Sequence, residues 1–369
     1  MYHHNKIYEY LPHLFLLMAF KDLQIYGAGL SGLVSAINLS RNGHHVTVYE
    51  KEKKIGGDVH CHPSAQMTPL HMQQMERYIG IELESCFSKL DDFRGYIGQK
   101  KFVFSTKNIY VVERGPRTSS LDYFLYKTAL EEGVTFKFSH PLTSEELRNI
   151  PENSIIATAG YSKIVRALHL PYVTFKQFDT HIKTDLENIS IAYFGDFTTD
   201  YGYISIKNGL LSAQLSGPLH LSQKNLNTFM NLVKETEGID LKGWSSIIAY
   251  FPKKTRLFTK FAGKTYVLAG DVAGVLDPFF GFGVSGALLS GKIAAMSILS
   301  KQKALLEFQQ YTSHLNKDLL VHTIYWHLPL KKLLLSQIMK IQENHFTLIK
   351  RSIPGFTDED WLKIISIVD

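Results

Sequence analysis

Between Asp22 and Glu50 the chain changes its hydrophobic period twice. DLQIYG is a short apolar run bounded by glycine, a strand pattern. Leu30–Asn42 carries small and apolar residues at helical spacing and ends at Asn42-Gly43. HVTVYE (His45–Glu50) is again a strand, rich in β-branched residues. Strand, helix and strand within about 30 residues predict a β-α-β unit with parallel strands and a right-handed crossover. Further on, KFVF (Lys101–Phe104) and IYVVE (Ile109–Glu113) read as a hairpin around STKN. Ser119–Gly133 reads as a capped amphipathic helix ending at glycine, and VTFKFS and SIIATAG as strands. Residues 171–258 are β-rich, with alternation in GYISIKNGLLSAQL (Gly202–Leu215). KTYVLAGD (Lys264–Asp271) reads as a buried strand, Gly283–Leu299 as an apolar helix with small residues, and the chain from Ala304 as helical to its end.

The 369 residues correspond to about two domains, enough for a sizeable core. A net charge of +6 over that length is mildly basic and argues against nucleic acid as the partner. Cys61 and Cys86 are the two cysteines, so there is no disulfide framework and the expected compartment is reducing, hence cytoplasmic. No apolar run reaches the ~18 residues of a membrane span. LPHLFLLMAF (Leu11–Phe20) lacks a basic flank and a small-residue cleavage site, which disfavours a signal peptide. Met18 lies just before the first core strand, so residues 1–17 read either as an extra N-terminal piece or as lying upstream of the start.

Candidate chemistry begins at the first strand-to-helix joint, IYGAGLSGLV. Gly27, Gly29 and Gly32 form G-x-G-x-x-G, with Ala28 inside the turn. The spacing suits a tight turn, a backbone that approaches a pyrophosphate, and a helix packed closely on its strand. The helix start then offers free N–H groups to phosphate. Glu50 ends the second strand, where an acid holds a ribose hydroxyl and opposes a 2′-phosphate. The alternative is three glycines that only pack helix on strand. A second cluster, AGDVAGVLDPFFGFGVSGALLSG (Ala269–Gly291), follows another buried strand. Asp271 is placed to accept hydrogen bonds from a ribityl chain, and Pro278, Gly281, Gly283 and Val284 mark a helix start suited to the pyrimidine edge of a flavin.

Residues Gly270–Gly283 resemble the second FAD motif of the geranylgeranyl reductase family, within the aromatic-hydroxylase-like flavoproteins. EKEKKIGGDVHC (Glu50–Cys61, including Lys51) is similar to that family's stretch after the ribose-binding acid. RTSSLDYFLYKTALEEGV (Arg117–Val134) is similar to its segment in which an arginine approaches FAD. SIIATAGYSKIVRAL (Ser154–Leu168) is similar to its segment containing A-D-G, here Thr158-Ala159-Gly160. The resemblance spans roughly residues 22–300. It implies an α/β fold in which a discontinuous Rossmann-like FAD-binding domain (22–60, 95–168 and 260–300) carries a β-rich substrate domain (61–94 and 171–258) and a helical C-terminal region (301–369). It implies an FAD-dependent oxidoreductase that reduces carbon–carbon double bonds of an isoprenoid or similar apolar lipid chain, with NAD(P)H or a reduced ferredoxin-like protein as electron donor. Departures from the family pattern include Ala159 in place of aspartate, Phe282 in place of glutamate or glutamine, and YGYISIKNG (Tyr201–Gly209) in place of a tryptophan–proline motif. They bear on the substrate more than on the cofactor. A flavin monooxygenase and an FAD-holding protein without turnover are the alternatives.

Cys61 stands where the family has its substrate-side cysteine, and its bland reading is a small buried hydrophobe. His60 and His62 flank it as candidate proton donors or polar pocket residues. They have no second ligand pair at metal-site spacing, so no metal is expected. Cys86 reads as core. Tyr201, Tyr203, Phe279 and Phe280 are candidate pocket aromatics. From Lys301 to Arg351 the chain has eight Lys/Arg against three Asp/Glu. In PLKKLLLSQIMKI (Pro329–Ile341), Leu330, Leu333, Leu334, Ile338 and Ile341 form a helical stripe beside lysines. That helix either packs on the FAD domain or touches the inner face of an anionic membrane.

Overall fold

The apolar run at the N-terminal end forms the central strand β1 (Asp22–Tyr26) of a six-stranded sheet in the computed structural model. The structure describes residues 22–57, 62–159, 162–278 and 281–327. Helix α1 (Leu30–Arg41) and β2 (His45–Tyr49) complete the expected β-α-β unit, with β1 and β2 parallel from Asp22↔His45 to Tyr26↔Tyr49. Every residue of α1 from Leu30 to Leu39 is buried, because the helix is covered on all sides. Full burial of each of its large apolar side chains contributes about 1.5–3 kcal/mol.

The chain continues through β3 (Ser64–Pro69), α2 (Met72–Ile79), β4 (Phe87–Lys89), β5 (Asp92–Ile97), β6 (Lys100–Val103), β7 (Ile109–Arg114), α3 (Leu121–Glu131), β8 (Thr135–Lys137), α4 (Glu146–Asn149), β9 (Ile155–Ile156) and α5 (Ser162–Ala167). Then come β10 (Tyr172–Lys183), β11 (Ile189–Phe194), β12 (Gly202–Lys207), β13 (Leu210–Gly217), α6 (Gln223–Glu237), β14 (Ser245–Pro252), β15 (Phe258–Phe261), β16 (Lys264–Leu268), α7 (Val284–Leu299) and α8 (Lys301–His327). The six-stranded sheet runs β15-β16-β9-β1-β2-β8 and is parallel except at β15. A seven-stranded sheet runs β14-β10-β13-β12-β11-β5-β6, and β3-β7-β4 form a third.

Local chemistry sets several boundaries, including those of a helix (α6) within the segment expected to be β-rich. Ser120 caps α3 by accepting from the Tyr123 N–H at 3.1 Å. Ser222 and Asn225 form a reciprocal cap at α6. Asn208-Gly209, both at positive φ, turn β12 into β13. α1 and α7 cross through small residues. The Ser35 hydroxyl donates to the Gly291 carbonyl at 2.8 Å, and a Cβ on Gly291 would lie 2.5 Å from the Ser31 carbonyl oxygen.

Three expectations are corrected. Lys101–Phe104 and Ile109–Glu113 are not a hairpin: β6 pairs with β5, whereas β7 pairs with β3 and β4. Residues 95–103, expected in the dinucleotide domain, lie in the seven-stranded sheet through β5 and β6. Within the segment 61–94, Met72–Phe87 instead joins the core of the six-stranded sheet through Met72, Met75, Ile79, Leu83 and Cys86. These apolar side chains find their matching surface on α1 and α7, so burial overrides sequence proximity. Cys86 is buried core as expected. Helix α8 buries Ala304, Phe308, Tyr311 and Leu315 in the same core. The stretch Pro329–Ile341, the rest of the C-terminal region and residues 1–21 lie outside the described residues. Among the described residues, no helix is long and apolar enough to cross a membrane.

Candidate active site

The three glycines of the first joint do different things. Gly27 sits at φ +109°, and a Cβ there would lie 2.5 Å from the Ala157 carbonyl oxygen on the neighbouring strand connection. Gly32 is pressed against the turn, where a Cβ would fall 1.9 Å from the Gly27 carbonyl oxygen. Gly29 caps α1 with nothing within 4 Å of its Cβ position. The loop is therefore closed on its protein side and open on the other, where Gly27, Ala28, Gly29 and Ser31 line a cavity of about 1420 Å³.

Glu50 braces this turn. Its carboxylate accepts from Ala28 N–H at 2.7 Å and from Glu52 N–H at 2.9 Å. Burial pushes its pKa up, while the two backbone donors pull it back. Lys51 also lines the cavity, and Tyr49 stacks on Tyr26 at 4.9 Å with His140 4.8 Å away.

The second joint reaches the same cavity. Gly270, Asp271, Pro278, Gly281 and Gly283 all line it, with Gly283 capping the 16-residue helix α7. Gly270 N–H donates to Ser290 Oγ at 2.9 Å. Burial pushes the Asp271 carboxyl up, against the pull of Arg114. Val284, expected at the cofactor, is buried in the first turn of α7 and is not among the residues that line the cavity.

The arginine of the site is Arg114. It lines the cavity and makes a two-point ion pair with Asp122, Nε–Oδ2 2.8 Å and Nη2–Oδ1 2.9 Å. Gly115 N–H adds a third bond to the same carboxylate at 2.8 Å. Despite burial, Arg114 holds Asp122 below the ordinary carboxylate range. Arg117, expected at the cofactor, is corrected. It pairs with the fully buried Glu113 at 3.0 Å, donates to the Asn208 carbonyl at 3.2 Å and is absent from the cavity lining. The unhydrated Glu113 carboxylate is the stronger attraction.

Ala159 lines the cavity beside Thr158, whose shielded Oγ1 has no hydrogen-bond partner among the described residues. An orphaned hydroxyl, an open helix start and a braced acid at the end of β2 fit a dinucleotide with its ribose and phosphates. His62 lines the cavity with Nδ1 3.1 Å from Ser64 Oγ. His60, Cys61 and Gly160, and the aromatics Phe279 and Phe280, lie outside the described residues. Tyr201 and Tyr203 line the cavity as expected, and burial raises the Tyr201 hydroxyl well above its ordinary pKa, so it stays protonated. Among the described residues, no group of three or more His, Cys, Asp or Glu is arranged to hold a metal.

Sequence reasoning missed the far wall. The cavity continues over one face of the seven-stranded sheet, lined there by Gln177, Asp179 and His181 of β10 and Ser212, Gln214 and Ser216 of β13. Ser190 of β11 and Ser205 of β12, 2.9 Å apart through their hydroxyls, extend the row. The opposite face carries Phe178, Ile191, Tyr193, Ile204, Ile206, Ala213 and Leu215, which pack with Leu226, Phe229 and Val233 of α6. The signal was present as polar/apolar alternation in ISIAYF and LLSAQLSG.

Comparison with known proteins agrees with this geometry. A family model described as an NAD(P)-binding Rossmann-like domain matches residues 25–71. A flavin-containing monooxygenase (FMO GS-OX-like 6) of Arabidopsis thaliana is 41% identical over 46 residues, which is 12% of this chain and only 10% of that protein. A digeranylgeranylglycerophospholipid reductase of Methanococcus vannielii is 24% identical over 92% of both chains. Among solved structures, a geranylgeranyl bacteriochlorophyll reductase-like protein of Thermoplasma acidophilum superposes with a TM-score of 0.66 at 16% identity, covering 94% of this chain and 95% of that one. The flavin-dependent brominase Bmp2 superposes with a TM-score of 0.63 at 14% identity over 94% and 97%. The chain has the α/β fold of FAD-binding flavoproteins and, over nine-tenths of its length, resembles the geranylgeranyl reductase-like members of that group.

Proposed function

We propose that the protein is an FAD-dependent oxidoreductase that reduces a carbon–carbon double bond in an isoprenoid or similar apolar chain. The observation that carries this reading is one continuous cavity. It runs from the glycine turn and Glu50, past Asp271 and the start of α7, to the sheet face lined by Val173, Phe175, Ala249 and Phe251. When bound, FAD supplies the hydride chemistry. The chain supplies the rest. Gly27–Ser31 and Glu50 hold the dinucleotide end, Asp271 and the Gly283 helix start orient the ring end, and the aromatic and aliphatic wall excludes water. His62, and by sequence position Cys61, are the candidates to deliver the proton that double-bond reduction needs. NAD(P)H or a ferredoxin-like protein is the proposed donor. The basic, leucine-striped segment Pro329–Ile341 is a proposed peripheral contact with anionic lipid.

A flavin monooxygenase is the second reading, favoured by the polar sheet face, which suits a hydroxylated aromatic better than bare hydrocarbon. A visible spectrum of the purified protein, followed by anaerobic addition of NADH or NADPH and then dithionite, tests both. A flavin spectrum bleached by a nicotinamide, with a transient oxygen adduct on readmitting air, selects the monooxygenase. A flavin reduced by a reduced ferredoxin, or by a nicotinamide with no such adduct, supports the reductase. A flavin that no physiological donor reduces leaves an FAD-holding protein. A colourless protein that cannot be reconstituted refutes all three.

A further inference from the structure

The seven-stranded sheet ends at β14, which pairs with β10. Five consecutive residues of this edge strand, 247–251, line the cavity. Successive side chains point to opposite faces of a strand, so the cavity opens along the free edge of β14 rather than over one face. Two aliphatic side chains stand in the open there: Val173 of β10 is 41% exposed and Ile248 of β14 is 57% exposed. Both line the cavity, so an apolar lining leads from solvent inward to Phe175, Ala249 and Phe251.

The same edge is cationic. Residues 153–178, which lead through α5 into β10, and residues 241–270, which contain β14, include nine Lys/Arg and no Asp or Glu. Lys253 and Lys254 follow β14 directly, are exposed and line the cavity, and Lys253 N–H donates to the Pro171 carbonyl at 2.8 Å. Arg166 of α5 lies over the Tyr250 ring at 5.4 Å and donates to its hydroxyl at 2.6 Å. Lys176 stands in register with Ile248, and its ammonium lies over the Phe178 ring at 4.7 Å. Of the acids on the substrate side of the cavity, Asp179 and Asp277 are buried. Asp200 lies on the loop between β11 and β12, strands that are at least three places in from β14.

We infer that the β14 edge docks on the headgroup layer of an anionic lipid bilayer, and that the apolar chain of the substrate passes from the bilayer into the cavity along this edge. The inference rests on the reading of this cavity as the chamber for an apolar chain, and the contact is separate from the one proposed for Pro329–Ile341. The lysines and arginines attract anionic headgroups, while Val173 and Ile248 reach the acyl boundary. An edge strand leaves main-chain N–H and C=O groups unpaired, so the contact is shallow, at a depth where water still reaches them. An acidic protein would match the cations, but it gains nothing from an apolar lining that leads inward.

The test is co-sedimentation of the full-length protein with vesicles of phosphatidylcholine alone, or with about one-third phosphatidylglycerol added. The wild type should bind the anionic vesicles at least about tenfold more tightly, and less tightly as salt rises. Lys253→Glu/Lys254→Glu should lower the partition coefficient at least about 30-fold, and Ile248→Ser about tenfold. The controls lie on or beside β6 at the other edge of the same sheet: Lys100→Glu/Lys101→Glu for charge, and Val103→Ser for an aliphatic side chain that is 62% exposed. Each control should change partition by less than about threefold. The segment Pro329–Ile341 is identical in all these proteins, so its own affinity cancels from the comparison. Where the charge reversal does not fold, Lys253→Gln/Lys254→Gln takes its place with an expected loss of about 30-fold. Equal losses at the two edges overturn the inference. So does a wild type that ignores anionic vesicles, or one that instead captures a reduced acidic ferredoxin through Lys253 and Lys254. Flavin content is measured on the same samples. A yellow protein without the edge-specific loss removes only this inference, whereas a colourless protein that shows the loss removes the oxidoreductase reading and leaves the docking surface.

Discussion

Gly29 and Gly32 stand three residues apart in one motif, and the structure assigns them opposite failures. Gly29→Val places its side chain where the protein has no atom within 4 Å, at an ordinary φ of −75°. The fold loses only the difference between glycine and valine as a helix cap, about 1 kcal/mol, or roughly 3 °C in melting temperature. The branched side chain fills the approach to the free N–H groups of α1. Loss of two charge-assisted bonds to phosphate, about 1.5–3 kcal/mol each, weakens FAD binding by about 10²- to 10⁴-fold. Gly32→Ala puts a methyl group 1.9 Å from the Gly27 carbonyl oxygen, which is main chain and cannot rotate away. The helix must lift from the turn, and we expect a cost of about 3 kcal/mol, or roughly 9 °C. The assay is melting temperature of the apo-protein together with flavin bound per chain from visible absorbance after reconstitution. Gly29→Val should be stable and colourless, and Gly32→Ala unstable. A fully yellow Gly29→Val, or an apo melting loss equal to that of Gly32→Ala, would refute the assignment.

Asp122→Asn should cost about 3–5 kcal/mol, because it removes a buried carboxylate that makes a two-point ion pair with Arg114 and accepts from Gly115 N–H; chemical denaturation measures this, and a loss below about 1 kcal/mol contradicts it. Asp122 is also held below its ordinary range in the folded protein, so its stabilisation is complete above the unfolded value near ~3.9 and is lost as pH falls through the lower folded value. The acid limb of the wild-type stability curve should therefore be steeper than that of Asp122→Asn. Cys61→Ser should retain flavin and lose most turnover; unchanged turnover removes Cys61 from the mechanism.

The β-α-β unit was legible because its cues are local. A change of period, a glycine turn and a terminal acid all lie within thirty residues, and backbone geometry leaves few ways to join them. Caps were equally local, as at Ser120. The hairpin reading of Lys101–Glu113 failed for the converse reason. Two alternating runs around a short polar segment look the same whether they pair with each other or with distant strands. Here β6 had β5 beside it, while β7 found β3 and β4. Arg114 and Arg117 posed the same problem at smaller scale, since a motif position cannot say which of two nearby arginines turns inward. Buried Glu113 takes Arg117, and Asp122 on the first turn of α3 aims Arg114 at the cavity.

By itself the sequence determined the dinucleotide turn, the second glycine cluster and the β-rich insert between them, because each is written in residues whose backbone freedom or period is intrinsic. Only the tertiary structure decided what the insert does. Alternation in β10–β13 shows two faces, but not which one meets water, a helix or a ligand. That choice was made when Leu226, Phe229 and Val233 of α6 covered the apolar face and left Asp179, His181, Ser212 and Gln214 to line the cavity. Side-chain period is a property of one strand; the environment of a face is a property of everything packed against it.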